Sequence, residues 1–209
     1  NHDRTRYLTA AERQSWLNAC KSSANPDLYL VVVLAISTGI RKGEIMGMHW
    51  QDIHTAPDQS FTRVHLTKTK NDKARSVWLT SLALELLEER RKTVTESREV
   101  KVPTGLIFPS TTKADVPVDL RKAWSAALLT AGIEEFRFHD LRHTTASYLA
   151  MNGASLLSIS KVLGHQTTKM TERYSHLATS HIDEVVRSMN AKKYGTANEP
   201  SPANQASED

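Results

Sequence analysis

The stretch FHDLRHTTASYLAMNGASLLSISKVLGHQTTKMTERYSH, residues 138–176, decides how the rest of the chain is organised. Two apolar runs enclose its polar side chains, and His139 and Arg142 are three residues apart, so on a helix they share one face. Gly164, directly before His165, can end a helix in the left-handed conformation. The pattern predicts helices over about 139–152, 155–163 and 168–175, with Gly153 and Gly164 between them.

One group of side chains in this stretch suits phosphodiester chemistry without a metal. Its members are His139, Arg142, His143, His165, Arg173, Tyr174 and His176. An arginine fork binds non-bridging phosphate oxygens bidentately. An imidazole moves protons or donates hydrogen bonds, and a phenol can attack a phosphate and hold it covalently.

Helices are also predicted before this stretch. Thr9 with Glu12 three residues later matches a capping box, and the helix over about 10–22 should turn Trp16, Leu17 and Cys20 inward. The next run, LYLVVVLAIS, is apolar nearly all round and predicts a buried central helix. Further helices are predicted from Ile40-Arg41 to about Met48, from Ser81 through LALELLEERRKTV, over about 119–131 and over 181–191.

Residues 50–80 change to the alternating period of strands. WQDI, FTRVHLT and ARSVWL each predict a strand, and the polar turn residues Asn71-Asp72 make the last two a β-hairpin. Lys68, Lys70 and Lys73 would lie near its tip. The predicted fold class is therefore mainly α with one small antiparallel β-sheet (α+β).

Composition excludes few classes of function. The 209 residues are 39% hydrophobic, which supports a real core, and a net charge of +4 with a pI of about 9.2 favours a polyanionic partner. The single Cys20 excludes an intramolecular disulfide and fits a reducing cytoplasm. No apolar run reaches the roughly 20 residues of a membrane span, and no signal peptide begins the sequence.

The two ends are predicted to lie outside the main domain. Residues 1–8 resemble the end of a linker, and residues 195–209 have the low apolar content of a disordered tail, which leaves one domain over 9–194. Because the first residue is Asn, we expect the chain to be a fragment of a longer protein.

Each candidate residue also has a structural interpretation. Arg41 could simply pair with Glu44 one turn later, and Tyr174 could be a core residue. His139 and His143 have the spacing of a zinc pair, which would make a metal-dependent hydrolase. However, no Glu follows the first histidine, and Arg142 near the same face disfavours a cation.

Taken together, the motifs resemble the catalytic domain of the tyrosine recombinases, the phage integrase family, from about residue 8 to about 190. TGIRKGEI resembles the first arginine box and gives Arg41 the role of the first catalytic arginine. TKNDKAR resembles the hairpin with the catalytic lysine, which selects Lys70, five residues before Arg75.

The remaining motifs lie in the stretch quoted first. HDLRHT resembles the H-x-x-R box with His139 and Arg142, LGH supplies His165, and TERYSHL supplies the nucleophile Tyr174. Members of this family commonly carry an N-terminal core-binding domain, which we expect to be missing here.

The resemblance implies a site-specific recombinase. Tyr174 would attack a scissile phosphate, forming a 3′-phosphotyrosyl link and freeing a 5′-hydroxyl. Arg41, Arg142 and His165 would stabilise the phosphoryl oxygens, and Lys70 would protonate the leaving oxygen. His139 is the best candidate for the proton acceptor near Tyr174, or for a phosphate contact. No cofactor, metal or ATP is implied.

Its implied partner is double-stranded DNA, bound by a tetramer that assembles from free monomers, with accessory DNA-bending proteins as further candidates. The DNA-binding candidates are Lys68, Lys70, Lys73, Arg75 and Arg173. The biological setting would be a prophage or mobile element in a bacterial cytoplasm. An inactive DNA-binding module of the same fold is the alternative. The apolar stripe of the helix over 181–191 would pack on its own domain or on a neighbouring protomer.

Overall fold

The structure, a computed structural model, describes residues 6–67 and 74–178 together with Arg187 and Met189. It confirms the predicted class, a mostly helical fold with one three-stranded antiparallel sheet. The described helices are α1 (Ala10–Lys21), α2 (Pro26–Thr38), α3 (Lys42–Met46), α4 (Ser81–Arg98), α5 (Arg121–Ala131), α6 (Phe138–Met151), α7 (Leu156–Leu163), α8 (Lys169–Glu172) and α9 (Ser175–Ala178).

Local sequence explains where several helices begin. Thr9 and Glu12 form the predicted reciprocal capping box at α1. Asn25 caps α2 through the backbone N–H of Asp27, with Pro26 in the first turn. α2 is buried along most of its length and packs against α1, α4 and α6, so it is the central helix that its apolar run predicted.

The sheet has the order β1 (Ile53–Thr55), β2 (Thr62–Leu66) and β3 (Arg75–Leu79), with Val64 opposite Val77. The prediction of a strand over WQDI was wrong, because Trp50–Asp52 forms a turn of 3₁₀ helix and the strand starts only at Ile53. The carboxylate of Asp52 accepts a hydrogen bond from the backbone of His49, which turns the chain at this point.

Two cores of unequal size hold the molecule together. The large core lies between α1, α2, α4, α5 and the inner face of the sheet, and Trp16, Cys20, Leu34, Ile45, Val64, Leu87 and Phe108 are among its buried members. The small core lies where α6, α7 and α8 meet, and its buried members are Ala146, Ala150, Ile159, Leu163 and Tyr174. α6 joins the two, because Leu141 lies in the large core and Ala146 in the small one.

Some predicted features fall on residues that the structure does not describe. They are the hairpin tip with Lys68, Lys70 and Lys73, the helix over 181–191 and the tail over 195–209. Of the helices within the described part of the chain, none has the length and apolar character needed to cross a membrane.

Candidate active site

Arg41 lies where the central helix ends. Gly39 closes α2 in the left-handed conformation (φ 68°), and the chain then turns so that Arg41 precedes α3. Its backbone N–H donates to Glu44 Oε2 at 2.9 Å, and its guanidinium donates to Glu44 Oε1 at 3.1 Å. The pairing expected from local sequence is thus present, and it fixes Arg41 at the edge of the large core.

Glu44 binds a second arginine from the sheet. The Arg75 guanidinium donates to both carboxylate oxygens, at 2.8 and 2.9 Å, and only 15% of the Arg75 side chain is exposed. Burial acts to raise the pKa of Glu44, but the hydrogen bonds from Arg75 and the Arg41 backbone hold that pKa below its usual value. One buried carboxylate therefore orients two cations.

Arg142 connects two helix ends. It is 4% exposed, and its two terminal nitrogens each donate at 2.6 Å, one to the carbonyl oxygen of Gly39 and the other to that of Leu163. These carbonyls belong to the ends of α2 and α7, which lack helical partners. Gly39 lies two residues before Arg41, and Leu163 lies two residues before His165. Arg142 therefore holds the segments of these two predicted site residues together.

The arginines give this region an excess of positive charge. Burial, followed by repulsion from Arg41 and Arg75, lowers the pKa of Arg142 to about 9, so it stays protonated at neutral pH. Glu44 is the only carboxylate hydrogen-bonded to these arginines within the described residues. Arg41 and Arg75 share this one carboxylate, and their charges act on the nearby Arg142. Three guanidinium groups with one carboxylate leave two positive charges, and such a site attracts an anion.

His165 follows the turn at Gly164, which has a φ of 66° as its motif predicted. Its backbone N–H donates to the Ser160 carbonyl, and its Nδ1 lies 2.8 Å from the hydroxyl of Thr171. Burial, then repulsion from Arg142 and Arg41, lowers the pKa of His165 to about 4. The imidazole is therefore neutral at pH 7 and close to both arginines.

Tyr174 lies in the turn between α8 and α9, where one continuous helix over about 168–175 had been predicted. Its side chain is 2% exposed, and its Oη lies 2.5 Å from Nδ1 of His143. Burial raises the pKa of Tyr174 to about 12 although Arg173 and Arg142 act to lower it. The phenol is therefore protonated in this structure and has an imidazole in direct contact.

The histidine that contacts the phenol is His143, whereas His139 had been named as the best candidate for the proton acceptor or for a phosphate contact. Both lie on one face of α6, one turn apart, and their rings make an edge contact with centroids 5.1 Å apart. Burial, then the charge of His139, lowers the pKa of His143 to about 4. The sequence does place His143 on the same helix face as His139, four residues later, but this spacing had been considered only as a possible pair of zinc ligands.

The structure says less about the positions of the other predicted site residues. Arg173 acts electrostatically on His139, His143, His165 and Tyr174, so it lies near the site. Lys68, Lys70 and Lys73 lie outside the described residues. Across 6–67 and 74–178, no three histidine, cysteine or acidic side chains group as metal ligands would, and His143 is engaged by Tyr174.

Comparison with known proteins gives a consistent result. The family model described as the phage integrase family matches residues 6–181. The chain is 33% identical over 193 residues to the integrase of Salmonella phage P22, covering 90% of this chain and 48% of that protein. It is 31% identical to the integrase of Haemophilus phage HP1, covering 82% of this chain and 43% of the integrase.

A recombinase and two solved structures extend this result. The shufflon-specific DNA recombinase of Escherichia coli is 30% identical, covering 83% of this chain and 41% of the recombinase. The catalytic domain of bacteriophage HP1 integrase has a TM-score of 0.64 at 28% identity, covering 91% of this chain and 98% of that domain. The XerH site-specific recombinase, solved with its difH substrate, shares the fold with a TM-score of 0.67 at 22% identity, covering 86% of this chain and 53% of XerH. The chain spans less than half the length of the three curated relatives.

Proposed function

Since the chain belongs to the phage integrase family, we propose that it cleaves and rejoins DNA strands through a 3′-phosphotyrosyl intermediate on Tyr174. One observation carries the proposal. Arg41 and Arg75 bind the single carboxylate of Glu44, and Arg142 lies close enough for the charges of this group to act on its guanidinium. The buried phenol of Tyr174 lies close enough for the charge of Arg142 to act on it. An anion-binding cluster beside an oxygen nucleophile suits attack on a phosphodiester.

The first step would move one proton and exchange one bond. The phenolic proton of Tyr174 passes to Nδ1 of His143, which lies 2.5 Å away and belongs to a neutral imidazole. The phenolate oxygen then forms a bond to phosphorus, and the bond from phosphorus to the 5′-oxygen breaks. Lys70 remains the candidate for protonating this leaving oxygen. The reverse sequence, with a 5′-hydroxyl from a partner strand, reseals the DNA.

Arg41, Arg142 and His165 would stabilise the charge that develops on the non-bridging oxygens. Arg142 uses one N–H on each terminal nitrogen for the carbonyl groups, which leaves three of the five guanidinium hydrogens for a phosphate. Its carbonyl bonds fix the plane of the group before substrate arrives. His139 would then serve as a phosphate contact rather than as the proton acceptor.

Arg75 has a positioning role in this scheme, because its guanidinium is held by Glu44 and its stem passes Gly164. The prediction that it also contacts DNA stays a prediction, as do those for Lys68, Lys73 and Arg173.

We further propose that residues 9–194 form the catalytic domain, that the partner is double-stranded DNA and that four copies assemble on it from free monomers. Integration or excision of a prophage or mobile element in a bacterial cytoplasm, with help from DNA-bending proteins, would be the setting.

The test is covalent capture on nicked duplexes that carry candidate attachment sites, from which the short leaving strand diffuses away. The unaltered chain should form a DNA–protein adduct with EDTA present, and Tyr174→Phe should form none. Tyr148→Phe is the matched control, since Tyr148 is a half-buried tyrosine of α6 that packs on Arg13. DNA binding without any adduct would instead favour an inactive DNA-binding module, and cleavage abolished by EDTA would favour a metal-dependent hydrolase.

A further inference from the structure

Thr171 lies between two residues of the proposed chemistry. It belongs to α8, its side chain has no solvent exposure, and its hydroxyl lies 2.8 Å from Nδ1 of His165. Its carbonyl oxygen also accepts the backbone N–H of Tyr174 at 3.0 Å. One residue therefore contacts His165 through its side chain and the nucleophile's backbone through its main chain.

The hydrogen bond to His165 has two possible directions. Either the threonine hydroxyl donates to an unprotonated Nδ1, or a protonated Nδ1 donates to the hydroxyl oxygen. In the first case the neutral ring carries its proton on Nε2, and in the second it carries it on Nδ1. Only the first leaves a proton on the nitrogen opposite Thr171.

Burial favours the first direction. Within residues 6–67 and 74–178, the Thr171 hydroxyl makes no hydrogen bond other than the one to His165. If it accepted from Nδ1–H, its own proton would be buried without an acceptor, which proteins avoid because the group has lost its hydration. Donation to Nδ1 satisfies the hydroxyl proton and the ring nitrogen with a single bond.

We propose that Thr171 is a positioning residue that holds His165 as the neutral tautomer protonated on Nε2, so that Nε2–H can donate to a phosphoryl oxygen. A neutral histidine donates through one nitrogen only, so the wrong tautomer would present a lone pair to an anion. The direction of the pKa shift of His165, which keeps the ring neutral at pH 7, is consistent with this.

The arrangement also links the stabilising histidine to the nucleophile. Tyr174 follows Thr171 by three residues, so a displacement of α8 that moves the phenol also moves the hydroxyl that orients His165. The role in catalysis rests on the proposed function, whereas the tautomer is a property of the folded chain. The two can therefore be tested separately.

The experiment compares three substitutions in the 209-residue chain. Thr171→Val removes the hydroxyl at nearly constant shape, and Thr171→Ser keeps it. Thr62→Val removes a buried hydroxyl from β2, where the Thr62 hydroxyl bonds to that of Thr55, and serves as the control for general loss of a buried hydrogen bond. Nitrogen-15 NMR of the histidine rings gives the tautomer of His165, and covalent capture on nicked DNA gives the cleavage rate.

We expect the unaltered chain to show a pyridine-type Nδ1 and a pyrrole-type Nε2 at His165. In Thr171→Val the tautomer should no longer be fixed, and the cleavage rate at saturating DNA should fall about tenfold. This is the size of effect seen when a metal-binding histidine loses the hydrogen-bond partner that orients it. Thr171→Ser should restore most of both, and Thr62→Val should change neither.

Protonation of His165 on Nδ1 in the unaltered chain would overturn the proposal, and this measurement needs no variant to fold. A Thr171→Val protein with unchanged tautomer and unchanged rate would overturn it as well. If the unaltered chain cleaved no DNA but showed the expected tautomer, the proposed function would fail while the orienting bond would stand.

Discussion

The two cores of the molecule support different parts of the chemistry. The large core fixes Arg41 and, through Glu44, Arg75, on a frame of several helices and a sheet. The small core has five buried members, and the proposed nucleophile Tyr174 is one of them. Burial of apolar surface scales with core size, so the small core contributes much less to stability. Arg41 and Arg75 are thus held rigidly, whereas the proposed nucleophile lies on a part that can open at low cost.

The cations and the phenol have different structural requirements. The cations must be in place before charge develops, because reorganising them during the reaction would raise the barrier. The phenol has the opposite requirement, since it is 2% exposed in this structure and must reach a phosphate. Placing it in the weaker core lets it move while the anion site keeps its geometry.

The largest expected effect comes from the residue that joins the two cores. Arg142 binds the carbonyl of Gly39 at the end of α2 and that of Leu163 at the end of α7. Arg142→Lys leaves one ammonium, which has no planar fork and cannot span both carbonyls and a phosphate. We expect the rate of adduct formation to fall by about 100- to 1000-fold, the range for loss of one oxyanion donor.

Arg121→Lys is the control, because Arg121 is an exposed arginine that pairs with Asp119 at the start of α5. Its rate should match that of the unaltered chain. A folded Arg142→Lys protein whose rate stayed within about tenfold of normal would show that the connection between the cores does not depend on the planar fork.

An intermediate effect is expected where the small core meets the sheet. Gly164 and Gly132 both end helices with a φ of 66°, so alanine at either position has the same backbone strain, about 1–2 kcal/mol. At Gly132 a Cβ atom would meet nothing within 4 Å, but at Gly164 it would lie 2.7 Å from Cδ of Arg75. Arg75 cannot simply move away, since Glu44 holds both ends of its fork.

Gly164→Ala should therefore lower the free energy of unfolding by about 1–3 kcal/mol more than Gly132→Ala, the usual cost of overpacking. It should also slow adduct formation, because Arg75, Glu44 and Arg41 form one connected group. Urea unfolding and covalent capture measure the two quantities. Equal losses for both alanine variants would mean that Arg75 and the turn before His165 are not coupled.

Local pattern was enough to predict most of the helices that form the large core. The cap at Thr9, the apolar run of α2 and the glycine that ends it are features of a few consecutive residues. The candidate site residues Arg41, His139, Arg142, His165 and Tyr174 were named because each belongs to a short motif that resembles the family's, and their roles stay predictions. Alternation predicted β2 and β3 for the same reason.

What pattern missed depends on packing between distant segments. Whether His139 or His143 meets Tyr174 is decided by how α8 approaches α6, since the two histidines share a face one turn apart. The bond from Arg75 to Glu44 crosses 31 residues of sequence, and no local period reveals it. Likewise, the residue types of WQDI are typical of a strand, but the Asp52 carboxylate accepts a hydrogen bond from the backbone N–H of His49 and the segment forms a 3₁₀ turn.

The most gradual expected effect is a loss of stability in mild acid that begins in the small core. Burial is the main cause of the low pKa of His143 and His165, about 4 for each. In the unfolded chain both would titrate near 6.5, so between about pH 6.5 and 4 the unfolded state binds more protons. Their contribution is complete above pH 6.5 and is lost as the pH falls through that window.

Hydrogen exchange from pH 7 to 5 can locate this loss, because the carboxylates Glu12 and Glu44 have lowered pKa values, so the stability they contribute is lost only below their ordinary pKa of about 4.5. Protection of amides in α7 and α8 should fall first. Tryptophan fluorescence should change later, since Trp16, Trp50 and Trp124 belong to or pack on the large core. His143→Gln with His165→Gln should remove most of the dependence. Simultaneous loss in both regions would mean that the chain opens as one unit, and the mobility assigned to Tyr174 would then need another source.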